Sequence, residues 1–331
     1  MKQAELTAVL CGIWVATILY GEMFAFWIPS CSKLNNEYNP DDYLKVAVIA
    51  DPQVMDRTSL PLAPNSVALE IVQFYTDLYM RRAFFSSILP FKPDALLFLG
   101  DHFDGGPYLL NQEWQESYSR FKHIFGLNSE ERFSDIQVYY LSGNHDIGYA
   151  NMVSHYPQLV ERYEKGFGIR NFRFKVGRVE FVAIDAQTVD GKLGKSTWDF
   201  IKNMSSDVQL SSRVLLTHIP LYRPDSTPCG PHRSSPIINQ RISREAKNQE
   251  IRYQNYITEE SSKRILDLIK PTLVLSGHDH DQCTITHESK FGSVVEHTVG
   301  TVSWQQGNLY PSFMLLSARK NLENDSSHEE A

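Results

Sequence analysis

A chain of 331 residues can hold one large domain or two ordinary ones, and its 42% hydrophobic and 12% aromatic content is enough to form a packed core. This composition excludes an intrinsically disordered protein. The formal net charge of -7 provides no basic surface of the kind that binds nucleic acid, so a nucleic-acid partner is disfavoured.

An apolar segment begins the chain, "LTAVLCGIWVATILYGEMFAFWIPSC" at residues 6–31, and only Glu22 interrupts it. Its length fits the ~20 residues that a membrane helix needs. We interpret residues 1–31 as an uncleaved signal anchor, with a cleaved signal peptide and an ordinary buried helix as the alternatives. Lys2 on the first flank, against mixed charges in the polar linker 32–42, predicts a cytoplasmic N-terminus and a lumenal body by the positive-inside bias.

Sequons and cysteines bear on the same question of location. The sequons at Asn203 and Asn324 fit a lumenal side, although this pattern also arises by chance. Two of the four cysteines belong to the anchor region, which leaves Cys229 and Cys283 in the soluble part. In an oxidising lumen these two would pair, but two unrelated thiols explain the sequence equally well.

One domain is predicted at 43–318, because no low-complexity break or repeat divides it, and a polar tail follows at 319–331. Segment 66–89 is predicted to be a helix with Asn65 as its N-cap. Its apolar residues recur at spacings of four, three and four and form one apolar face: Val67, Ile71, Phe74 and Leu78, followed by Phe85 and Ile88.

Short apolar runs lie between the helical segments: "KVAVIA", "ALLFLG", "QVYYLS", "RVLLT" and "TLVLSG". They predict strands buried on both faces, as in layered α/β folds. The segment "RNFRFKVGRVEFVAID" alternates and turns at Gly177, which indicates an antiparallel hairpin and therefore a mixed sheet system. Segment 220–257 looks irregular, and a loop of this length is often functional, so we expect it to take part in substrate binding, with a disordered insertion as the alternative.

Each of the five apolar runs ends in a side chain that can bind a metal ion. These side chains are Asp51, Asp101, Asn144, His218 and the pair His278 and His280. One aspartate after a strand is usually a turn or cap residue, but five such endings are hard to ascribe to capping. Strand ends in layered α/β proteins converge on one edge of the sheet, so these side chains can meet there. Carboxylate, amide and imidazole together, without cysteine, favour manganese, iron or zinc over calcium or a thiolate zinc site.

In this order the motifs "DPQ", "GDHFD", "GNHD", "THIP" and "GHDH" resemble those of the calcineurin-like metallophosphoesterase superfamily, over residues 44–317. The resemblance implies an α/β (mixed α+β) four-layer sandwich, in which two mixed sheets lie between helices, and a site for two divalent ions. It places Asp51 and His280 at the first metal and Asp101 as a bridge between both. The second metal would then be held by Asn144, His218 and His278.

The same resemblance suggests roles for the neighbouring residues. Gln53 stands where most of the superfamily has histidine, so it either binds the first metal through its amide oxygen or hydrogen-bonds a ligand. His145 resembles the general acid that protonates the leaving oxygen, with Asp146 or a nearby carboxylate orienting its ring, although Asp146 could be a plain turn residue. Asp104, in the loop after the bridging residue, is expected either to bind a metal ion or to contact the ligands from behind.

Further strings resemble the membrane-anchored metallophosphoesterases that remodel glycosylphosphatidylinositol (GPI) anchors: "DLYMRRAF", "THIPLYR" and "SWQQGNLYPSF". That group removes an ethanolamine phosphate from the second mannose of the glycan, which promotes transport of GPI-anchored proteins from the endoplasmic reticulum to the Golgi, and manganese is its usual metal. The resemblance therefore implies a GPI glycolipid or GPI-anchored protein as substrate, in the endoplasmic reticulum or early Golgi. The candidate substrate contacts are Arg82, Tyr222, Arg223 and Trp304, with a structural role as the alternative for Arg82 and Trp304. The competing hypotheses are a nucleotide or phosphoprotein phosphatase and a non-catalytic scaffold with this fold.

Overall fold

The computed structural model describes residues 3–28, 43–64, 66–128, 135–206, 212–307 and 311–319. The α-helices are α1 Gln3–Leu19, α2 Ala25–Trp27, α3 Val67–Ala83, α4 Asn111–Ile124, α5 Asn144–Ile147, α6 Ala150–His155, α7 Gln158–Phe167, α8 Lys195–Ser206 and α9 Glu259–Ile269. The strands are β1 Tyr43–Ile49, β2 Ala95–Phe98, β3 Gln137–Tyr140, β4 Phe172–Val176, β5 Val179–Ala183, β6 Arg213–Leu216, β7 Ile242–Arg244, β8 Ile251–Gln254, β9 Leu273–Ser276, β10 Cys283–Ser289, β11 Gly292–Thr298 and β12 Met314–Arg319. The linker 32–42, the N-cap proposed at Asn65, the sequon at Asn324 and almost all of the tail 319–331 lie outside the described residues.

Helices α1 and α2 are joined by a π-helical turn into one apolar helix, Gln3–Trp27, which is long and apolar enough to cross a membrane. No residue of α1 is buried in the protein. The alternative of an ordinary buried helix is therefore wrong. A membrane span and a signal sequence both have this length and composition.

Two mixed sheets form the body of the domain, in the orders β12-β1-β2-β3 and β10-β11-β9-β6-β5-β4. In the first sheet β1, β2 and β3 are parallel, and β12 is antiparallel to β1. In the second sheet β5, β6, β9 and β11 are parallel, while the edge strands β4 and β10 are antiparallel to their neighbours. The predicted mixed sheets are thus confirmed, and the hairpin that turns at Gly177 is β4–β5.

The side-chain alternation of the strands places apolar residues in three layers of core. In β1, Val46 and Val48 pack between the two sheets, whereas Ala47 and Ile49 pack on the opposite face. Helices α3 and α4 cover that outer face of the first sheet, and α8 and α9 cover the outer face of the second. Helices, sheet, sheet and helices form the four-layer sandwich that the family resemblance implied.

Two segments differ from the sequence-based expectation. Strand β3 is not buried on both faces: Gln137 is exposed and the rest of the strand is half-buried, because β3 is the edge of the first sheet. Segment 220–257 is not wholly irregular, since β7 and β8 form an antiparallel ribbon within it. The sequence did not predict this ribbon, because its three- and four-residue strands are polar and have no clear apolar period.

The helix predicted at 66–89 has two parts. Helix α3 begins after Ser66, whose hydroxyl oxygen accepts the Leu69 N–H at 3.3 Å and so caps the first turn. It ends at Ala83 and passes into a π-helical turn, Phe84–Ile88. The helical prediction is thus correct, with the cap at the residue after Asn65.

Candidate active site

The carboxyl ends of the parallel strands bring the predicted ligands together at one edge of the two sheets. Asp51 follows β1, Asp101 follows β2, His218 follows β6 and His278 follows β9. Five residues here have left-handed backbones, with φ between 40° and 70°: Asp51, Gln53, Asp101, His278 and His280. Such conformations are strained for residues other than glycine and persist where the surrounding structure imposes them, which is characteristic of functional sites.

Two groups of three ligand-type side chains share one carboxylate. Asp51, Asp101 and His280 form the first group, and Asp101, His218 and His278 form the second, with the ligand atoms of each group within 4.8 Å of one another. Asn144 adjoins the second group, because its Oδ1 lies 3.0 Å from His218 Nε2. The structure thus brings together all six residues to which the family resemblance gave a metal-binding role, with Asp101 common to both groups.

Gln53 lies in the first group and has an unsatisfied oxygen. Its Nε2 is 3.2 Å from Asp101 Oδ2 and 3.3 Å from His280 Nε2, while its buried Oε1 has no hydrogen-bond partner in the described part of the chain. A buried carbonyl oxygen without a partner is unfavourable, and a cation beside it would satisfy it. The amide oxygen and nitrogen exchange by a simple flip, so either can face the group. The donor set therefore fits two divalent cations with mixed oxygen and nitrogen ligands.

The two buried carboxylates have opposite ionisation behaviour. Burial raises the pKa of Asp51 to about 8, although the nearby His218 attracts the charged form. Burial also disfavours the charge of Asp101, but His218 and His145 outweigh it and lower the pKa of Asp101. The protein alone thus keeps the shared carboxylate charged and leaves Asp51 to depend on positive charge brought to the site.

The imidazoles of the two groups also differ in their pKa values. Burial lowers the pKa of His278 to about 3, with repulsion from His218 acting in the same direction, and burial lowers the pKa of His280 to about 4. Both rings are neutral at physiological pH, which is the form that binds metals. His218 differs because the charge of Asp101 overcomes burial and raises its pKa to about 9. A metal ion at this position would therefore replace the proton of His218.

Backbone groups fix the orientation of the rings. His218 Nδ1 lies 2.8 Å from the Leu99 carbonyl oxygen and His278 Nε2 lies 3.1 Å from the Gln254 carbonyl oxygen. Each ring donates to its carbonyl through one nitrogen and so presents the other to the site. Asp51 is held in turn by the His278 N–H, at 3.1 and 3.0 Å from its two oxygens.

His145 is oriented by Asp104 and not by Asp146. The Nδ1 of His145 contacts the Asp104 carbonyl oxygen and lies 3.7 Å from the Asp104 carboxylate. Asp146 is buried, binds the ring of His102 at 2.9 Å and accepts the N–H groups of His102 and Gly143 at 2.9 and 2.8 Å. The assignment of Asp146 to the catalytic pair is therefore corrected: it fixes the loop after β2, and the alternative of a nearby carboxylate, Asp104, is the arrangement observed.

The pKa of His145 reflects the same surroundings. Burial would lower it, but the charge of Asp101, the Asp104 carbonyl and the Asp104 carboxylate outweigh burial and raise the pKa. Burial also raises the pKa of Asp104, even though Ser59 and His145 favour its charged form. The surroundings thus favour the protonated form of the imidazole that faces the cavity.

The motif "HDHD" at 278–281 alternates between two partners. The histidines face the metal-ligand groups, while Asp279 and Asp281 bind segment 220–257. Nη1 and Nη2 of Arg233 each donate to Asp279 at 2.8 Å, and the backbone N–H groups of Ser234 and Ser235 donate to Asp281 at 2.8 and 2.7 Å. The long segment is therefore anchored directly behind the ligands.

A disulfide joins the same two regions. Cys229 in the long segment pairs with Cys283 at the start of β10. This resolves the two alternatives that the sequence left open for these cysteines. The link lies two residues beyond Asp281, so covalent and ionic contacts fix the segment together.

A cavity of about 580 Å³ opens over the ligands, and segment 220–257 contributes part of its wall. The wall residues that the sequence analysis did not single out include Tyr108, Tyr149, Met152, Arg252, Tyr253 and Asn255. Only the length of the irregular segment indicated part of this set. Such a mixture of aromatic side chains and a few polar groups is typical of ligand-binding pockets.

None of the four proposed substrate contacts lines this cavity in the described part of the chain. Arg82 and Trp304 line a separate cavity of about 380 Å³ beside the N-terminal helix. Tyr222 is half-buried and donates its N–H to Ser262 Oγ at 2.9 Å. Arg223 is fully buried, with its guanidinium 4.5 Å from the centre of the Tyr256 ring. These assignments are corrected, because resemblance of short strings does not reveal which way a side chain points.

Relatives of known name match most of this chain. Cell division control protein 1 of Saccharomyces cerevisiae is 32% identical over 288 residues, covering 82% of this chain and 55% of its own length. Metallophosphoesterase 1 of Cricetulus griseus is 30% identical over 258 residues, covering 71% of this chain and 61% of its own length. The chain thus spans little more than half the length of the relatives it matches.

The fold and the family profile agree with these relatives. A purple acid phosphatase from yellow lupin seeds superposes with a TM-score of 0.50 at 12% identity, covering 83% of this chain and 49% of the lupin chain, a likeness of fold alone. The profile of the calcineurin-like phosphoesterases matches residues 44–282, which contain all the ligand groups. This chain belongs to the calcineurin-like phosphoesterase family.

Proposed function

We propose that this chain is a dinuclear phosphodiesterase that removes ethanolamine phosphate from the second mannose of GPI anchors. The observation that carries the hydrolytic part is the shared carboxylate: Asp101 belongs to both ligand groups and also accepts the His145 N–H at 2.8 Å. The substrate is supported by the strings that resemble the GPI-remodelling group and by the apolar N-terminal helix, which would hold the enzyme beside a glycolipid.

The donor set suits manganese first, with iron and zinc as alternatives. Two bound ions would supply an activated water and would neutralise charge on the phosphoryl oxygens. Residues of the chain would supply the proton and one further ligand. Asp104 holds His145 through Nδ1, so the other ring nitrogen is available to give its proton to the leaving oxygen of the mannose. Gln53 would contribute its unsatisfied oxygen to the first site.

The catalytic roles are tested by three variants of the purified chain. Asp101→Asn should abolish turnover and bind fewer metal ions, because it weakens both sites at once. His145→Ala should keep both ions and slow turnover about 10²- to 10⁴-fold, the range of a general acid. Asp199→Asn, on an exposed part of α8, serves as the matched control and should change neither quantity. Loss of metal in His145→Ala would contradict its assignment as the acid.

A lumenal position of the domain is part of the proposal. The Cys229–Cys283 disulfide supports it, since such bonds persist in oxidising compartments, and Asn203 of the first sequon is exposed on α8. We expect the domain to resist protease in sealed microsomes and to be digested once detergent is added. Digestion before detergent would place the domain in the cytoplasm and contradict the proposal.

The substrate is tested on the anchor glycans of cells that lack the protein. Mass spectrometry should show ethanolamine phosphate accumulating on the second mannose, and the wild-type chain, but not Asp101→Asn, should reverse the accumulation. Unchanged glycans in these cells, together with turnover of simple phosphodiesters by the purified chain, would retain the hydrolase and refute the GPI substrate.

A further inference from the structure

Helix α3 exposes the first half of its apolar face. The side chains of Val67, Ile71, Phe74 and Tyr75, here called the α3 stripe, are 70%, 51%, 60% and 58% exposed. The residues of α3 that are buried lie on the opposite face, around Leu69, Thr76 and Met80. Four large apolar residues on one helix face, uncovered by any described segment, require an occupant.

The other end of the same helix contacts the N-terminal apolar helix. Arg82 forms an ion pair with Glu22, the Ser87 hydroxyl donates to the Phe26 carbonyl oxygen, and the rings of Phe26 and Tyr79 are 5.3 Å apart. No residue of the N-terminal helix, Gln3–Trp27, is buried in the protein, as expected of a helix surrounded by lipid. The carboxyl end of α3 therefore lies beside the last turns of the N-terminal apolar helix.

This contact limits where the α3 stripe can be. The residues from Val67 to Arg82 span about 22 Å of helix, at 1.5 Å per residue. If α3 pointed away from the bilayer, the stripe would stand in water over that length. If α3 lies along the bilayer, the whole stripe meets the boundary between headgroups and acyl chains, where exposed apolar residues are stable.

The neighbouring residues favour lipid over a protein partner. The segment just before α3, "LPLAP" at 60–64, carries no charge, and the basic residues of α3, Arg81 and Arg82, are in its last turn. Trp27 at the end of the N-terminal helix and Tyr75 in the stripe are exposed aromatic residues of the kind found at headgroup level. Tyr75 also lines the cavity of about 380 Å³ together with Phe26, so the stripe adjoins the segment that would cross the membrane.

We propose that the α3 stripe lies in the headgroup–acyl boundary of the bilayer that holds the N-terminal helix, so that the domain is attached to the membrane at two places. The inference rests on the membrane location in the proposed function. Its consequence concerns the active site, because the inner face of α3 carries the loop that follows Asp51 and Gln53. Thr76 Oγ1 donates to Met55 Sδ at 3.2 Å, and Gln73 Nε2 donates to the Met55 carbonyl oxygen at 3.3 Å. One helix therefore links the lipid surface to the first ligand loop.

Depth-dependent quenching tests the inference without any substrate. The full chain, with Cys11 and Cys31 replaced by serine, receives Phe74→Cys or Ile169→Cys, is labelled with an environment-sensitive dye, and is reconstituted in phosphatidylcholine nanodiscs. Ile169 is 64% exposed and lies outside α3, which makes it the matched control. We expect a blue shift and strong quenching by acyl-chain spin labels at position 74 and neither at 169. A dye at 74 that behaves like the dye at 169 would overturn the inference.

A third probe separates this inference from the membrane location. Cys11 is exposed on α1 and can be labelled in a Cys31→Ser chain. Quenching at Cys11 without quenching at 74 would refute the role of the stripe and retain the anchor. No quenching at Cys11 would refute both. If quenching at position 74 disappears only in nanodiscs that hold two chains, the stripe binds a second copy of the chain. This result would also overturn the inference.

Activity gives an independent measure. Ile71→Glu combined with Phe74→Glu should lower turnover of a phosphodiester lipid in nanodiscs about tenfold, because the domain loses its fixed position over the substrate. Turnover of soluble bis(p-nitrophenyl) phosphate should stay unchanged, and Ile169→Glu should affect neither. Equal loss on both substrates would show that the stripe supports the fold and would overturn the inference.

Discussion

Replacing Arg233 with methionine should destabilise the protein strongly, because it leaves a buried carboxylate without its main partner. Arg233 makes two 2.8 Å hydrogen bonds to Asp279, and the two side chains are only 4% and 1% exposed. Breaking a buried pair by removing one partner costs ~3–5 kcal/mol of folding free energy. Arg223 remains 3.5 Å from Asp279, so we expect the lower end of the range, about 3 kcal/mol.

Urea denaturation of the purified full chain in detergent, followed by tryptophan fluorescence, measures this change. Arg252→Met is the matched control, since Arg252 belongs to the same segment but is 60% exposed and lies 3.7 Å from Glu245. Exposed pairs contribute less than ~1 kcal/mol, so the control should unfold almost as the wild type does. Equal losses in the two variants would refute the reasoning that burial makes the Arg233 pair important.

The effect should reach the metal site as well. Asp279 lies between His278 and His280 in the chain, so a shift of its carboxylate moves two candidate ligands. We expect Arg233→Met to bind manganese more weakly than the wild-type chain in direct titration, while Asp199→Asn on the exposed face of α8 keeps the wild-type affinity. Unchanged affinity in Arg233→Met would show that the ligands are held without this ion pair.

Three further changes test other parts of the structure. Gly143→Ala should abolish metal binding, because the added methyl would lie 2.0 Å from Asp101 Oδ1, and a wild-type metal content would contradict this. Cys229→Ser should remove about 2–4 kcal/mol of unfolding free energy, since the disulfide closes a loop with a sequence separation of 54, and a reductant should then destabilise the wild type but not the variant. Burial opposes ionisation of Glu296, but His287 and Arg223 outweigh burial and hold the pKa of Glu296 below 4.5. The charged carboxylate therefore stabilises the protein above pH 4.5, and this stabilisation is lost as the pH falls through the lower pKa of the folded state. Glu296→Gln should therefore lower stability at neutral pH and flatten the loss of stability in acid, whereas an unchanged acid limb would contradict this.

The set of candidate ligands was predictable from the sequence because its signal is local. Each candidate ligand closely follows a short apolar run, and the motif "GHDH" contains two of them, separated by one residue. The convergence of parallel strand ends then predicts their meeting without any coordinates. The same logic correctly predicted the mixed sheets and the helix at 66–89, since periodicity depends on neighbours along the chain.

The contacts that orient and surround the candidate site residues could not be predicted from the sequence, because they join segments that are distant in the chain. Asp146 follows His145 in the chain, yet it binds His102 from the preceding loop, while Asp104 takes the position beside His145. Arg223 was a candidate substrate contact, but the fold buries it against the ring of Tyr256. No local pattern encodes such pairings, since each depends on how two loops pass one another in space.

The sequence by itself thus determined the strands that lead to the candidate ligands, which side chains end them and which chemistry those side chains allow, because these depend on periodicity and residue type. The tertiary structure alone decided which carboxylate orients His145, how segment 220–257 is fixed behind the candidate ligands, and which face of α3 is left uncovered. An apolar stripe has the same sequence pattern whether a core or a lipid surface covers it, since both remove it from water. Only the packing of the whole chain shows which side of α3 the core already occupies.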